Sequence, residues 1–175
     1  MKNIVATLSL LFATTLSAQV AIGKATVSSP AVSLEFYDNA DNTRGIILPW
    51  VTSTAAVTGA VNGTIVYNTA DRKVYVKYAS GWRDLSVDNT GTVTTTLQDS
   101  LTDQDTAKVL IGGDPSTDTT PGILVLADTN KAMVLPKVAS PHLKIVNPSP
   151  GMIVYDTTKK QLAVFNGTVW SFWKP

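Results

Sequence analysis

Apolar residues occur along this chain in short runs of three to five, rich in Val, Ile, Leu, Tyr and Phe, and cut apart by Gly, Pro, Asn and Asp. Such runs predict strands, because branched and aromatic side chains suit a pleated half-buried surface while the breakers suit turns. No window carries apolar residues at helical spacing for long enough to predict a substantial helix. The segment "IVYNTADRKVYVKY" (Ile65 to Tyr78) reads as a hairpin whose polar bend follows the Ile-Val-Tyr run, and "IVYDTTKKQLAVF" (Ile153 to Phe165) repeats that pattern. Asn166-Gly167 then predicts a second tight turn, both residues tolerating positive φ, so each stretch is expected to fold as a three-stranded meander.

The pattern occurs twice along the chain. "GTIVYNTADRKVYVKYASGW" (Gly63 to Trp82) is echoed by "GMIVYDTTKKQLAVFNGTVW" (Gly151 to Trp170). Upstream, "VAIGKA" is echoed by "VLIGGD", "VSLEFYD" by "GILVLAD", and "RGIILPWV" by "KAMVLPKV". The pairs Gly23–Gly112, Pro49–Pro136 and Trp82–Trp170 stand 89, 87 and 88 residues apart. Four matched blocks in one order at a near-constant offset mark a tandem duplication. The expected organisation is a leader over 1–18, a first module over 19–85, a Thr/Asp-rich linker over 86–108 and a second module over 109–175. The fold class expected is all-β, with two small antiparallel modules of meander or sandwich type and little helix. Within the linker, Leu97 and Leu101 leave room for one or two helical turns. A module of about 65 residues buries only about 60% of its chain surface, so the copies are expected to pack on each other or on further copies.

Composition changes this picture little, except at the start of the chain. With 44% hydrophobic and 15% charged residues the chain can bury a core. Its formal charge of +1 becomes zero once Lys2 is removed, which argues against nucleic acid as a partner. "MKN" followed by "IVATLSLLFATTL" and "SAQ" has the basic, apolar and small-residue order of a signal peptide cut near Ala18. A buried N-terminal strand or helix is the alternative. No other segment approaches membrane-spanning length, so the mature protein is expected outside the cell or at its surface.

The recurring Tyr67/Tyr155, Val76/Val164 and Trp82/Trp170 read first as core anchors of one module used twice. The terminal "WSFW" adds Trp170 and Phe172 on one strand face and Trp173 on the other, more aromatic surface than a small module readily buries. Trp170, Phe172 and Trp173 are therefore the candidate binding residues, for a protein partner or, as the alternative, for a glycan. The uncharged "TVWSFW" edge invites strand addition, and "QVAIGKATV" (Gln19 to Val27) is the candidate donor strand.

Chemistry is sparse. One His (His142), no Cys and one Glu (Glu35) leave almost nothing for a triad, a thiolate or a carboxylate pair. "DNADNTRG" and "DSLTDQD" offer oxygen ligands, but Ala40 falls where a calcium loop needs a ligand and no Glu closes it. "IGGD" lacks the Lys-Ser/Thr of a phosphate loop. No enzyme, cofactor or metal is expected.

"AQVAIGK", "GIILPWV" and the two Gly-to-Trp phrases resemble a group of secreted surface proteins of Bacteroidetes-type bacteria, and are similar to phage-tail-fibre-like modules. Ala21 and Lys24 stand where the group usually has Gly and Thr, and Trp50 and Lys137 where an Arg is common. The resemblance implies an extracellular structural or adhesive role, in homo-oligomers or fibres or on another surface protein, and supplies no catalytic residue.

Overall fold

A computed structural model describes residues 19–102, 104 and 106–174. The expected leader over 1–18 lies outside them. The first module contributes β1 (Val20–Ile22), β2 (Val32–Phe36), β3 (Ile46–Ile47), β4 (Trp50–Val51), β5 (Ile65–Asn68), β6 (Lys73–Tyr78) and β7 (Gly81–Asp84). The second contributes β8 (Val109–Ile111), β9 (Leu124–Leu126), β10 (Ala132–Val134), β11 (Lys137–Val138), β12 (Met152–Asp156), β13 (Gln161–Phe165) and β14 (Trp170–Trp173). A single helical turn, α1 (Pro141–Lys144), follows β11, and a 3-10 turn at Thr54–Ala56 takes the same place in the first module.

The all-β expectation holds, and both Gly-to-Trp phrases form the meanders read from the sequence, β5-β6-β7 and β12-β13-β14. Parallel pairs are the unexpected feature: β1 with β2, β8 with β9, β4 with β5, and β11 with β12. In the last two, a Pro carbonyl begins the ladder: Tyr67 N–H donates to Pro49 O and Tyr155 N–H to Pro136 O, each at 2.9 Å. A Pro can accept there although it cannot donate. These runs of two residues are too short to show a direction in the sequence.

Turn chemistry also repeats. Asn68 and Asp156 occupy one repeat position, and each side chain accepts from the backbone two residues on, at Ala70 and Thr158. Arg72 and Lys160, also equivalent, both take positive φ (62° and 54°). At the second turn of the C-terminal meander only Gly167 has positive φ (104°). Asn166 is there for its side chain instead: its Oδ1 accepts from Thr168 N–H and Val169 N–H while the residue is fully buried. In the linker, Leu97 and Leu101 are both exposed, and backbone bonds such as Gln98 N–H to Thr95 O form turns rather than a helix.

The modules do not fold side by side. Strand β10 of the second pairs in parallel with β2 of the first, and β3 of the first pairs antiparallel with β12 of the second. One core serves both: Leu48, Tyr67, Val74 and Leu85 from the first module meet Ile153 and Val164 from the second. Strand alternation sends Met152 and Val154 the other way, into a second cluster with Val138, Ile145, Ala163 and Phe165.

Tyr67 is the linchpin of the shared core. It is fully buried, lies 6.1 Å from Trp50 between ring centroids, and donates its hydroxyl to Asn166 O at 2.7 Å. Burial pushes its phenol up to about 12, so it remains a donor at any ordinary pH. Tyr67→Phe removes that donor and leaves a buried carbonyl without it, and a loss of about 1–3 kcal/mol is expected in urea unfolding.

At the other end of the first module, Glu35 is fully buried on β2. Burial pushes its carboxyl up, but Ser28 N–H and the Lys24 ammonium, 3.0 Å away, more than offset this and hold it below the usual Glu range. A carboxyl held low in the folded state stabilises above the unfolded value and stops doing so as pH falls through the folded one. Glu35→Gln is therefore expected to melt below wild type at pH 7, with the gap narrowing below about pH 4. Melting curves of both proteins from pH 7 to pH 3 check this.

Candidate functional site: the aromatic strand and the module interface

Strand β14 is the last strand of its sheet and pairs only with β13, Phe165 opposite Trp170 and Leu162 opposite Trp173. Alternation along it divides the three candidate aromatics as the sequence predicts. Trp170 packs on the second cluster, its ring centroid 5.3 Å from that of Phe165. Phe172, 38% exposed, meets the His142 ring edge-on at 5.7 Å. Trp173 faces the opposite way, into the shared core, where its indole N–H donates to Leu85 O and the Arg83 guanidinium lies 5.3 Å above its ring. Ser171 adds a hydroxyl bond to Ser86 O. The end of the first module thus lies along the C-terminal strand of the second.

The proposed donor strand does not reach this edge. Val20–Ile22 pairs with the chain's own β2, and the Gln19 amide is tied to the carbonyls of Ser29, Pro30 and Val32. Within one chain the N-terminal strand therefore lies on β2 and not on β14, with its other edge unpaired among the described residues.

The more extensive site is the module interface, which the sequence marked only as a place where copies pack. Trp50 Nε1 donates to Pro150 O at 2.9 Å, and the buried Asn42 amide bridges Tyr37 O, Arg44 O and Lys137 O. Ser33 donates to Asp128 across the β2–β10 junction at 2.8 Å, and Lys137 pairs with Asp38 at 3.3 Å. Lys24 reaches both Glu35 and Asp38, whose carboxyl it holds below the ordinary Asp range. Trp50, Lys137 and Lys24 each make a polar contact in this structure. The first two cross the interface, and a side-chain mismatch between otherwise repeated blocks was the one signal that could have pointed to it.

Asp38 and Asn42 therefore spend the "DNADNTRG" loop on ion pairs and backbone capping. Beside it runs a half-open groove of about 580 Å³ lined by residues that include Ile22, Tyr37, Asn42, Arg44 and Pro136. Among the described residues no group of three or more His, Cys, Asp and Glu is placed to hold a metal, and no helix is long and apolar enough to cross a membrane. What the arrangement offers is backbone edges and apolar surface, which is the chemistry of association.

Truncating the aromatics one at a time separates anchor from surface. Trp173→Ala is expected to cost about 2–3 kcal/mol, below the full value for a buried Trp because its ring is only partly enclosed. Phe172→Ala is expected to cost less than about 1 kcal/mol. Urea unfolding of the two variants beside wild type measures both.

Residues 114–174 match the family model described as phage tail like trimerisation region. The match covers most of the second module and bears out the similarity to phage-tail-fibre-like modules. Comparison with curated proteins and with solved structures gives no match.

Proposed function

We propose that this chain is a secreted, non-enzymatic structural subunit that works by self-association in a fibre-like assembly at the cell surface or outside the cell. The observation that carries this reading is the match of the second module to a trimerisation region. The fold supports it physically. Each module leaves part of its sheet to be completed by another, and the core around Tyr67 exists only where two modules meet. The leader-like first 18 residues and the resemblance to Bacteroidetes-type surface proteins motivate the extracellular location. The thin inventory of acid, base and nucleophile motivates the non-enzymatic role.

A carbohydrate-binding role using the terminal aromatics is the second reading, favoured only by the exposed part of Phe172. Trp170 and Trp173 have their rings packed within the chain.

Light scattering coupled to size exclusion on the chain beginning at Gln19 tests the proposal. Three chains per particle are expected. A particle that stays monomeric to high micromolar concentration overturns it, and retention of that monomer on a glycan array would move the assignment to the second reading. Intact-mass analysis of protein exported by its host is expected to show a chain starting near Gln19, and a retained Met1 would remove the extracellular location.

A further inference from the structure

The two inter-module pairings use the same element twice, in opposite ways. On the repeat, β3 and β10 are equivalent: Gly45 aligns with Ala132, Ile47 with Val134 and Leu48 with Leu135. Yet β10 gives its backbone to β2, the second strand of the other module, while β3 gives its backbone to β12, the first strand of the other meander. Ala132 N–H donates to Ala31 O, and Leu48 N–H donates to Gly151 O. Ala132 and Leu48 fall at odd and even places of one aligned strand, so the two pairings use opposite edges of it. The short strand is a bridge with two sides. One side takes the second strand of the module before it, and the other takes the meander of the module after it. Each copy shows one half of that rule.

The unused halves are visible as open surface. Leu34 on β2 is 1% exposed beneath β10, whereas its counterpart Leu124 on β9 is 47% exposed, next to Ile123 at 64%. Ile153, opposite Ile46, is 2% exposed, and its counterpart Ile65 is only partly buried. The glycines give the sharpest contrast. Gly151 and Gly63 are equivalent and share a positive φ (78° and 89°). A Cβ on Gly151 would meet Tyr67 Cβ at 2.8 Å and Trp50 Nε1 at 3.4 Å, whereas one on Gly63 would meet nothing within 4 Å among the described residues. Tyr155, the counterpart of the enclosed Tyr67, is half-buried. These open surfaces among the described residues, Gly63 to Ile65 and the outer edge of β3 in the first module, β9 and the outer edge of β10 in the second, fit a further module obeying the same rule.

We propose that the two modules fill two of three equivalent positions in a ring, and that three chains complete two such rings by sharing modules. This rests on the self-associating reading, and the choice of three positions is taken from the trimerisation match over residues 114–174. The occupant of the third position is a module from another copy of this chain, because that fold carries the complementary edges. A second chain with its own modules still docked together cannot supply it. Its second module would already fill the position next to its first, where the ring needs the module it is joining. Completing the ring therefore requires a cis pair to open. With two modules per chain and three per ring, the smallest set that leaves no edge open is three chains. The linker over 86–108 then joins one ring to the other in at least one chain.

Cysteine pairs test this in a chain that has no native Cys. Ile47 lies directly opposite Met152 across the β3–β12 ladder, at a spacing that suits a disulfide. Thr64 is the counterpart of Met152 in the first module. Two rings that share three first modules must place at least two of them in one ring, where they are neighbours. Ile47→Cys with Thr64→Cys is thus expected to form interchain disulfides on mild oxidation, and neither single variant should do so. Val134→Cys with Met152→Cys reads the corresponding contact between second modules and covers the case in which the first pair folds poorly. Light scattering of the uncrosslinked protein is run alongside. Three chains per particle with interchain links in both pairs supports the proposal. Three chains with no link, with links only inside a chain, or with links in the single variants overturns the ring while leaving self-association standing. A chain number that is not a multiple of three also overturns the ring, and a monomer removes both.

Discussion

A strand of two or three residues cannot hold itself in place, and this protein depends on how two such strands satisfy their backbone. Ile46–Ile47 and Ala132–Val134 each offer N–H and C=O groups that must be paired once apolar side chains draw them away from water. Each finds its partner in the other module. That requirement brings Leu48 under Tyr67, sets Gly151 against the Tyr67 ring, and carries the Trp50 indole to Pro150 O. With the exchange in place, the two meanders can share one core rather than each sealing a small one. The arrangement answers the difficulty that a module of this size has too little interior to stand alone.

Charge plays a supporting part around this framework. Glu35 is the one fully buried carboxylate on β2, and it is tolerated because Ser28 N–H and Lys24 meet it directly. Asp38 stands between Lys24 and Lys137, joining the first parallel strand pair to the partner module. The Asp38 pairs are partly exposed, and there a pair of charges fixes position more than it adds stability. Tyr67 and Asn166 do the equivalent work at the centre with neutral groups.

Local chemistry made much of this legible. The repeated Ile-Val-Tyr runs, the polar bends after Asn68 and Asp156, and the turn at Gly167 all act over a few residues, and the meanders followed from them. The division of Trp170 and Phe172 from Trp173 followed from strand alternation. What escaped was set by partners far away in the chain. Nothing near Ile46 says that it will face Ile153, and nothing in "VSLEFYD" says that its outer edge will be covered when "GILVLAD" has the same look with an open one. The parallel ladders escaped for a related reason, since a run of two residues beside a Pro carries no period to read. Asn166 shows a finer limit: the sequence signalled a turn correctly, but the residue was needed for what its amide holds, not for the φ it tolerates.

The separation between partners has a bearing on how the chain comes into being. Trp50 bonds to a carbonyl 100 residues further along, and β2 waits for β10 across a similar span. As the chain is made, the first module has its hairpins before the strands that cover it exist. Tyr67 and Val74 belong to a core that the second module completes, and contacts so distant in sequence form slowly. In the assembly proposed above, a module on a neighbouring chain is a second source of that cover. Within that assembly, local concentration where the chain is made would bear on which cover closes first.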